Sequence, residues 1–96
     1  MEITKQDKQN VLIAEFMSFD LEKENYKVDE LRYDCDWNWI IDVIARIRSV
    51  RNNHKLFNNM KAQAMANHVE INFELLDKES TYEKIVEFIN YYNGLG

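Results

Sequence analysis

Val69-Glu70-Ile71-Asn72-Phe73-Glu74-Leu75-Leu76 is the stretch on which the fold class turns. Val69, Ile71 and Phe73 alternate with Glu70, Asn72 and Glu74, the period-two pattern of a strand with one buried face. Residues 54–67, just upstream, read two ways. Leu56, Phe57, Met60 and Ala64 suit a short helix, while residues 60–65 equally suit the second strand of a hairpin with the Val69 run. The expectation is a single α+β domain over residues 1–96, with about three helices packed on a small antiparallel sheet.

Working outward, three helices are expected. A first over 4–19 has Thr4 as its cap and Asp7 favouring the positive helix start, with Leu12, Phe16 and Phe19 on one stripe. A second begins after the cap Asp36, and Trp37, Ile40, Ile41, Ile44 and Ile47 recur at helical spacing. Trp39, Val43 and Val50 widen that arc, which predicts a helix covered on two sides and central to the fold. A third, over 81–93, has Ser80 and Glu83 as an S-x-x-E capping box and Gly94 as its stop. With no proline and two glycines, turns fall to Asn and Asp, at Asn52-Asn53, Asn58-Asn59 and Asn67. Residues 20–34 are acidic and irregular, a short strand or an extended loop pinned by Tyr26 and Tyr33.

The single cysteine, Cys35, excludes an internal disulfide, suits a reducing compartment and reads as a semi-buried packing residue. The charged start Met1-Glu2-Ile3-Thr4-Lys5 lacks the apolar core of a secretory leader, and no apolar run reaches the roughly 20 residues of a membrane-spanning helix. A cytoplasmic protein with no membrane partner is expected.

Net charge is −5, and its layout is uneven. Residues 1–35 carry 5 basic against 9 acidic side chains, residues 36–66 carry 5 against 2, and residues 67–96 carry 2 against 6. Phosphate neutralisation supplies most non-specific nucleic-acid affinity, so this balance argues against a general nucleic-acid binder. Acidic flanks suit a basic protein surface instead. The acids of the irregular stretch, Glu22, Glu24, Asp29 and Glu30, are therefore the candidate protein-binding residues. Arg46, Arg48, Arg51 and Lys55 form the alternative, a basic helix sector that would meet RNA, with Trp39 and Phe57 as stacking surface.

His54 and His68 lack the spacing of a zinc site, and no Walker, Rossmann, G-x-S-x-G or H-E-x-x-H pattern occurs. Asp34 and Asp36 read as helix-capping acids and not as a catalytic pair. No enzyme, metal or cofactor is expected.

Three segments carry a resemblance: Leu12-Ile13-Ala14-Glu15-Phe16-Met17, then Asp36-Trp37-Asn38-Trp39-Ile40-Ile41, then Thr81-Tyr82-Glu83-Lys84-Ile85-Val86-Glu87-Phe88-Ile89-Asn90-Tyr91-Tyr92-Asn93. In this order they resemble a group of short phage and prophage proteins of the Bacteroidetes. Many of that group have a proline soon after the tryptophan pair, where this chain has Ile41-Asp42-Val43. The resemblance implies helices on a short sheet and assigns no site. Size, acidity and phage origin together resemble an anti-CRISPR of a type VI-B RNA-targeting system. This implies a non-enzymatic inhibitor that binds the effector nuclease, a host defence protein, and interferes with its guide or target RNA. A phage accessory or structural adaptor, a homo-oligomeric interaction module and a small RNA-binding protein remain the alternatives.

Overall fold

The residue run that reads as a strand is the second half of a helix. The computed structural model describes residues 4–95, with the backbone alone at 54 and 55, and among them there is no strand. In chain order come α1 (Lys5–Phe16), a single 3-10 turn (Val28–Glu30), α2 (Trp37–Arg51), the one-turn α3 (His54–Phe57), α4 (Met60–Glu74) and α5 (Lys78–Gly94). The α+β expectation is thus replaced by an all-helical domain of four long helices.

The reason lies in where the period is counted from. Started at Val69, the pattern alternates; started at Ala62, it runs Ala62, Ala66, Val69, Phe73, a helical stripe. Ala62, Ala66 and Val69 are buried and Phe73 packs on the core, whereas Ile71 is 52 % exposed. Alternation would place Ile71 beside Val69 and Phe73; helical geometry turns it to solvent. Alanines at 62, 64 and 66 are the strongest helix formers, and the buried pair Ala62 and Ala66 lets α5 approach closely. Asn59 caps the helix by accepting from the Ala62 N–H at 3.0 Å.

The two other long helices after α1 start where their caps dictate. Asp36 accepts from the Asn38 N–H at 2.9 Å and opens α2 as expected. α5 begins three residues early: Asp77, and not Ser80, is its cap. The Asp77 carboxylate accepts from the Ser80 N–H at 3.0 Å and from the Ser80 hydroxyl at 2.9 Å. These two bonds hold its pKa below the usual value. Ser80 is therefore a donor to the cap instead of the cap of a box with Glu83. α1 has the full reciprocal box, with the Asp7 N–H donating to Thr4 Oγ1 at 3.0 Å and the Thr4 N–H to Asp7 Oδ2 at 3.3 Å. It ends at Phe16, short of the expected residue 19. Gly94 is the last residue of α5 and Leu95 its C-terminal cap. Asn67 lies inside α4 and makes no turn.

α5, and not α2, is the central element. It packs on α1, α2 and α4, and buries Tyr82, Ile85, Val86, Phe88 and Ile89. α2 contributes Ile40, Val43, Ile44, Ile47 and Val50 to the same core, while Ile41 is 46 % exposed. A polar link crosses the bundle: the Tyr82 hydroxyl donates to Asn10 Oδ1 at 3.0 Å, and Asn10 Nδ2 donates to Asp34 at 3.1 Å. Asn10 is buried, and both its side-chain atoms are satisfied.

Three non-glycine residues take left-handed backbone: Ser18 (φ 57°), Asn25 (φ 59°) and Leu76 (φ 58°). Each sits where a helical turn stops, and the next residue's N–H bonds back five positions. Phe19 donates to the Ala14 carbonyl at 2.8 Å, Tyr26 to Leu21 at 2.8 Å and Asp77 to Asn72 at 3.1 Å. This is the 6→1 bond that closes a helix end, formed here without glycine. At Ser18 and Asn25 the closure turns an aromatic ring, Phe19 or Tyr26, back over the preceding turn. These two turns build the candidate site.

Candidate functional site

Phe19 and Tyr26 arrive from two successive turns, and both rings meet Trp39 of α2. Tyr26 stacks on Trp39 at 5.8 Å between centroids with planes 28° apart, and Phe19 lies 6.2 Å from Trp39. Phe19 and Tyr26 are 5.3 Å apart. Tyr33 closes the group from the α1–α2 segment, its ring edge-on to Trp39 at 4.9 Å. Such offset and edge-on arrangements are favoured by the ring quadrupoles and hold an irregular chain against α2 without regular secondary structure.

The rings line a half-open cavity of about 300 Å³, lined also by Met17, Asn38 and Asp42. Asn38 and Asp42 stand one helical turn apart on α2, so both reach the same space. Among the described residues neither side chain has a hydrogen bond or ion pair. Tyr33 is buried at 4 % exposure, and its hydroxyl is pushed up to about 12, first by burial and then by the charge of Asp42.

A second, shallower hollow adjoins the first and shares Tyr26. Leu21, Glu22, Asn25, Lys27, Asp29 and Glu30 line the rest of it. Three of the four acids expected to bind protein thus surround one concavity, and Glu24 is exposed on the same turn without lining it. Asp20 shapes this turn by accepting from the N–H groups of Glu22 at 3.0 Å and Lys23 at 3.2 Å. Glu30 accepts from the Lys27 N–H at 2.9 Å. The carboxylates of Glu22, Glu24 and Asp29 have no hydrogen bond or ion pair among the described residues. Residues 20–36 carry seven acids against three bases, and so concentrate the negative charge on this side.

The basic sector is arranged differently. Arg46 donates to the Phe16 carbonyl at 3.1 Å and lies 5.7 Å over the Phe16 ring, which fastens α2 to the end of α1. Arg48 grips Glu70 of α4 through two bonds, at 2.6 and 2.8 Å, and this pair raises the arginine pKa and lowers that of the carboxylate. Arg51 donates to Gln63 at 2.8 Å and to Asn67 at 2.9 Å. Gln63 in turn donates to the carbonyls of Arg51 at 2.7 Å and Leu56 at 2.9 Å, joining α2, α3 and α4. The three arginines are clamps between helices. The side chain of Lys55 lies outside the described residues, as does that of His54.

The aromatic cavity was not among the sites expected from sequence. Its signal is present in Tyr26 and Tyr33, which read as pins for the loop, and in Trp39, which reads as a broadening of the α2 stripe and as stacking surface for the RNA alternative. What the sequence lacks is the pair of left-handed turns at Ser18 and Asn25, which aim Phe19 and Tyr26 at one spot. Cys35, expected to be semi-buried, is exposed, and its carbonyl accepts from Lys78 at 3.1 Å. Among the described residues no three of His, Cys, Asp and Glu converge as metal ligands would, and no helix is long and apolar enough to cross a membrane. Comparison of the chain with protein-family models, curated proteins and solved structures finds no match.

Tyr33 and Tyr82 give the site side of the molecule a pH limit. Burial raises both, with the charge of Asp42 acting further on Tyr33 and that of Asp34 on Tyr82. A folded pKa above the unfolded value of about 10 means that the stabilisation is complete below pH 10 and is lost as pH rises through the folded values. Thermal unfolding followed against pH is expected to show stability falling above about pH 10. Tyr33→Phe, whose hydroxyl makes no hydrogen bond among the described residues, should fall less steeply there. An identical alkaline slope in wild type and Tyr33→Phe would contradict this.

Proposed function

We propose that this chain is a non-enzymatic, phage-encoded inhibitor that binds a bacterial defence effector nuclease and interferes with its guide or target RNA. The three-segment resemblance supports the phage assignment, and the type VI-B RNA-targeting effector is the partner class proposed. It would act in the cytoplasm of the host cell.

The observation that carries the binding mode is the contrast between the two charged groups. The loop acids Glu22, Glu24 and Asp29 are exposed and make no internal bonds among the described residues. Arg46, Arg48 and Arg51 are spent on Phe16, Glu70, Gln63 and Asn67. A group that must first abandon an internal partner gains less from a new one. The acidic hollow is therefore the better-prepared surface, and its natural counterpart is a basic, RNA-binding groove on a protein.

The test is stoichiometric. With a purified type VI-B nuclease and its guide, target-RNA cleavage is titrated with the protein. Inhibition is expected to become complete near one inhibitor per effector, with both proteins recovered unmodified. Complete inhibition at a small fraction of that ratio would establish turnover and overturn the binding reading. Tight binding to the guide RNA alone would favour the RNA-binding alternative.

A further inference from the structure

We propose that the aromatic cavity formed by Phe19, Tyr26, Tyr33 and Trp39 is a receptor for a cationic side chain, an arginine presented by a partner protein. The inference deepens the binding reading above, on which its biological role rests.

Three observations converge. First, the cavity is lined by Trp39 and three further aromatic rings grouped around it, their centroids all within 6.2 Å of its own. Ring faces carry negative electrostatic potential and attract cations, tryptophan most strongly. Second, the polar lining is a carboxylate and an amide, Asp42 and Asn38, neither engaged within the described part of the protein. A carboxylate beside an aromatic surface completes the two complements of a guanidinium, whose flat face stacks while its N–H edge donates to oxygen. Third, Tyr26 belongs to this cavity and also to the acidic hollow. A basic surface drawn in by Glu22, Asp29 and Glu30 therefore arrives with its side chains at the mouth of the aromatic site.

The competing occupant is a nucleobase, since rings also stack on bases. Charge decides against it. Each base of a nucleic acid carries a phosphate, and Asp42 with the loop acids would repel it. A lysine ammonium satisfies the charge but presents no plane to stack, so arginine is the preferred cation.

The experiment uses the whole protein, isotopically labelled, and follows the Trp39 indole N–H by NMR. Three blocked tripeptides are titrated, each Gly-X-Gly with X as arginine, lysine or citrulline; uridine monophosphate is the fourth probe. Citrulline has nearly the shape of arginine without its charge. The arginine peptide is expected to shift the Trp39 signal saturably, with citrulline about tenfold weaker, equivalent to about 1.4 kcal/mol. Asp42→Asn, an exposed and nearly isosteric change, should remove most of that preference while leaving the melting temperature in place. Equal response to arginine and citrulline, preference for uridine monophosphate, or an unmoved Trp39 signal would each overturn the proposal. No nuclease enters this assay. Its failure therefore leaves the inhibitor reading standing, and failure of the inhibition assay leaves the cation site standing.

Discussion

Phe88→Ala is expected to cost about 3–5 kcal/mol of folding stability, a large part of what a domain of this size possesses. Phe88 is fully buried on α5 and sits edge-on to Phe16 of α1 at 6.3 Å, with Tyr92 at 6.4 Å. Its removal opens a ring-sized void where the central helix meets the first. In a chain of this length each kcal/mol is worth about 4–8 °C, so the melting temperature should fall by more than about 10 °C. Ile44→Ala, at 2 % exposure on α2, belongs to the same class at about 2–5 kcal/mol. The pair that discriminates between folds is Val69→Ala and Ile71→Ala. On a strand both would face the core and both would be damaging. On α4, Val69 is fully buried and Ile71 is half-exposed, so the first should be costly and the second should lie near the small effects of surface changes. Equal losses measured by chemical denaturation would contradict the helical assignment of this segment.

That segment also marks the limit of what local pattern conveys. The caps Thr4 and Asp36, and most of the buried row of α2, were legible because each depends on neighbours within one or two turns. α4 was not, because seven residues of alternation look the same whether a strand continues them or a helix does. The alanines that decide the matter lie upstream, in a stretch left open between two readings. Ser80 has the spacing of a capping-box residue, but Asp77, three residues earlier, offers the same chemistry with a stronger acceptor. The candidate site was half legible. Its acids announced themselves by composition, but the aromatic cavity depends on left-handed turns at Ser18 and Asn25 that no glycine signals. Likewise the Arg48–Glu70 clamp joins residues 22 positions apart, a partnership that charge counting cannot reveal.

Reversal of the loop acids should produce the largest functional effect. Replacing Glu22, Glu24, Asp29 and Glu30 by Lys adds two charges at each position and takes the formal net charge from −5 to +3. Electrostatic steering changes association rates by about 10–1000-fold, so inhibition of the nuclease should weaken by about a hundredfold or more. The wild-type interaction should also weaken with salt, because the Debye length falls from about 8 Å at physiological strength to about 3 Å at 1 M. RNA binding through arginines would weaken with salt too, so salt cannot separate the two mechanisms and charge reversal must. Of the four carboxylates, only that of Glu30 has an internal bond among the described residues, to the Lys27 N–H. A triple reversal that keeps Glu30 therefore controls for damage to the 3-10 turn, and it should retain most of the defect and all of the stability. The converse variant, Arg48→Glu with Arg51→Glu, breaks the clamps to Glu70, Gln63 and Asn67, so its binding has to be read beside its melting temperature. Full inhibition by a folded quadruple-Lys protein would remove the acidic hollow from the interface. Gain of RNA affinity in that protein, with inhibition lost, would leave the hollow as the surface that meets a basic groove.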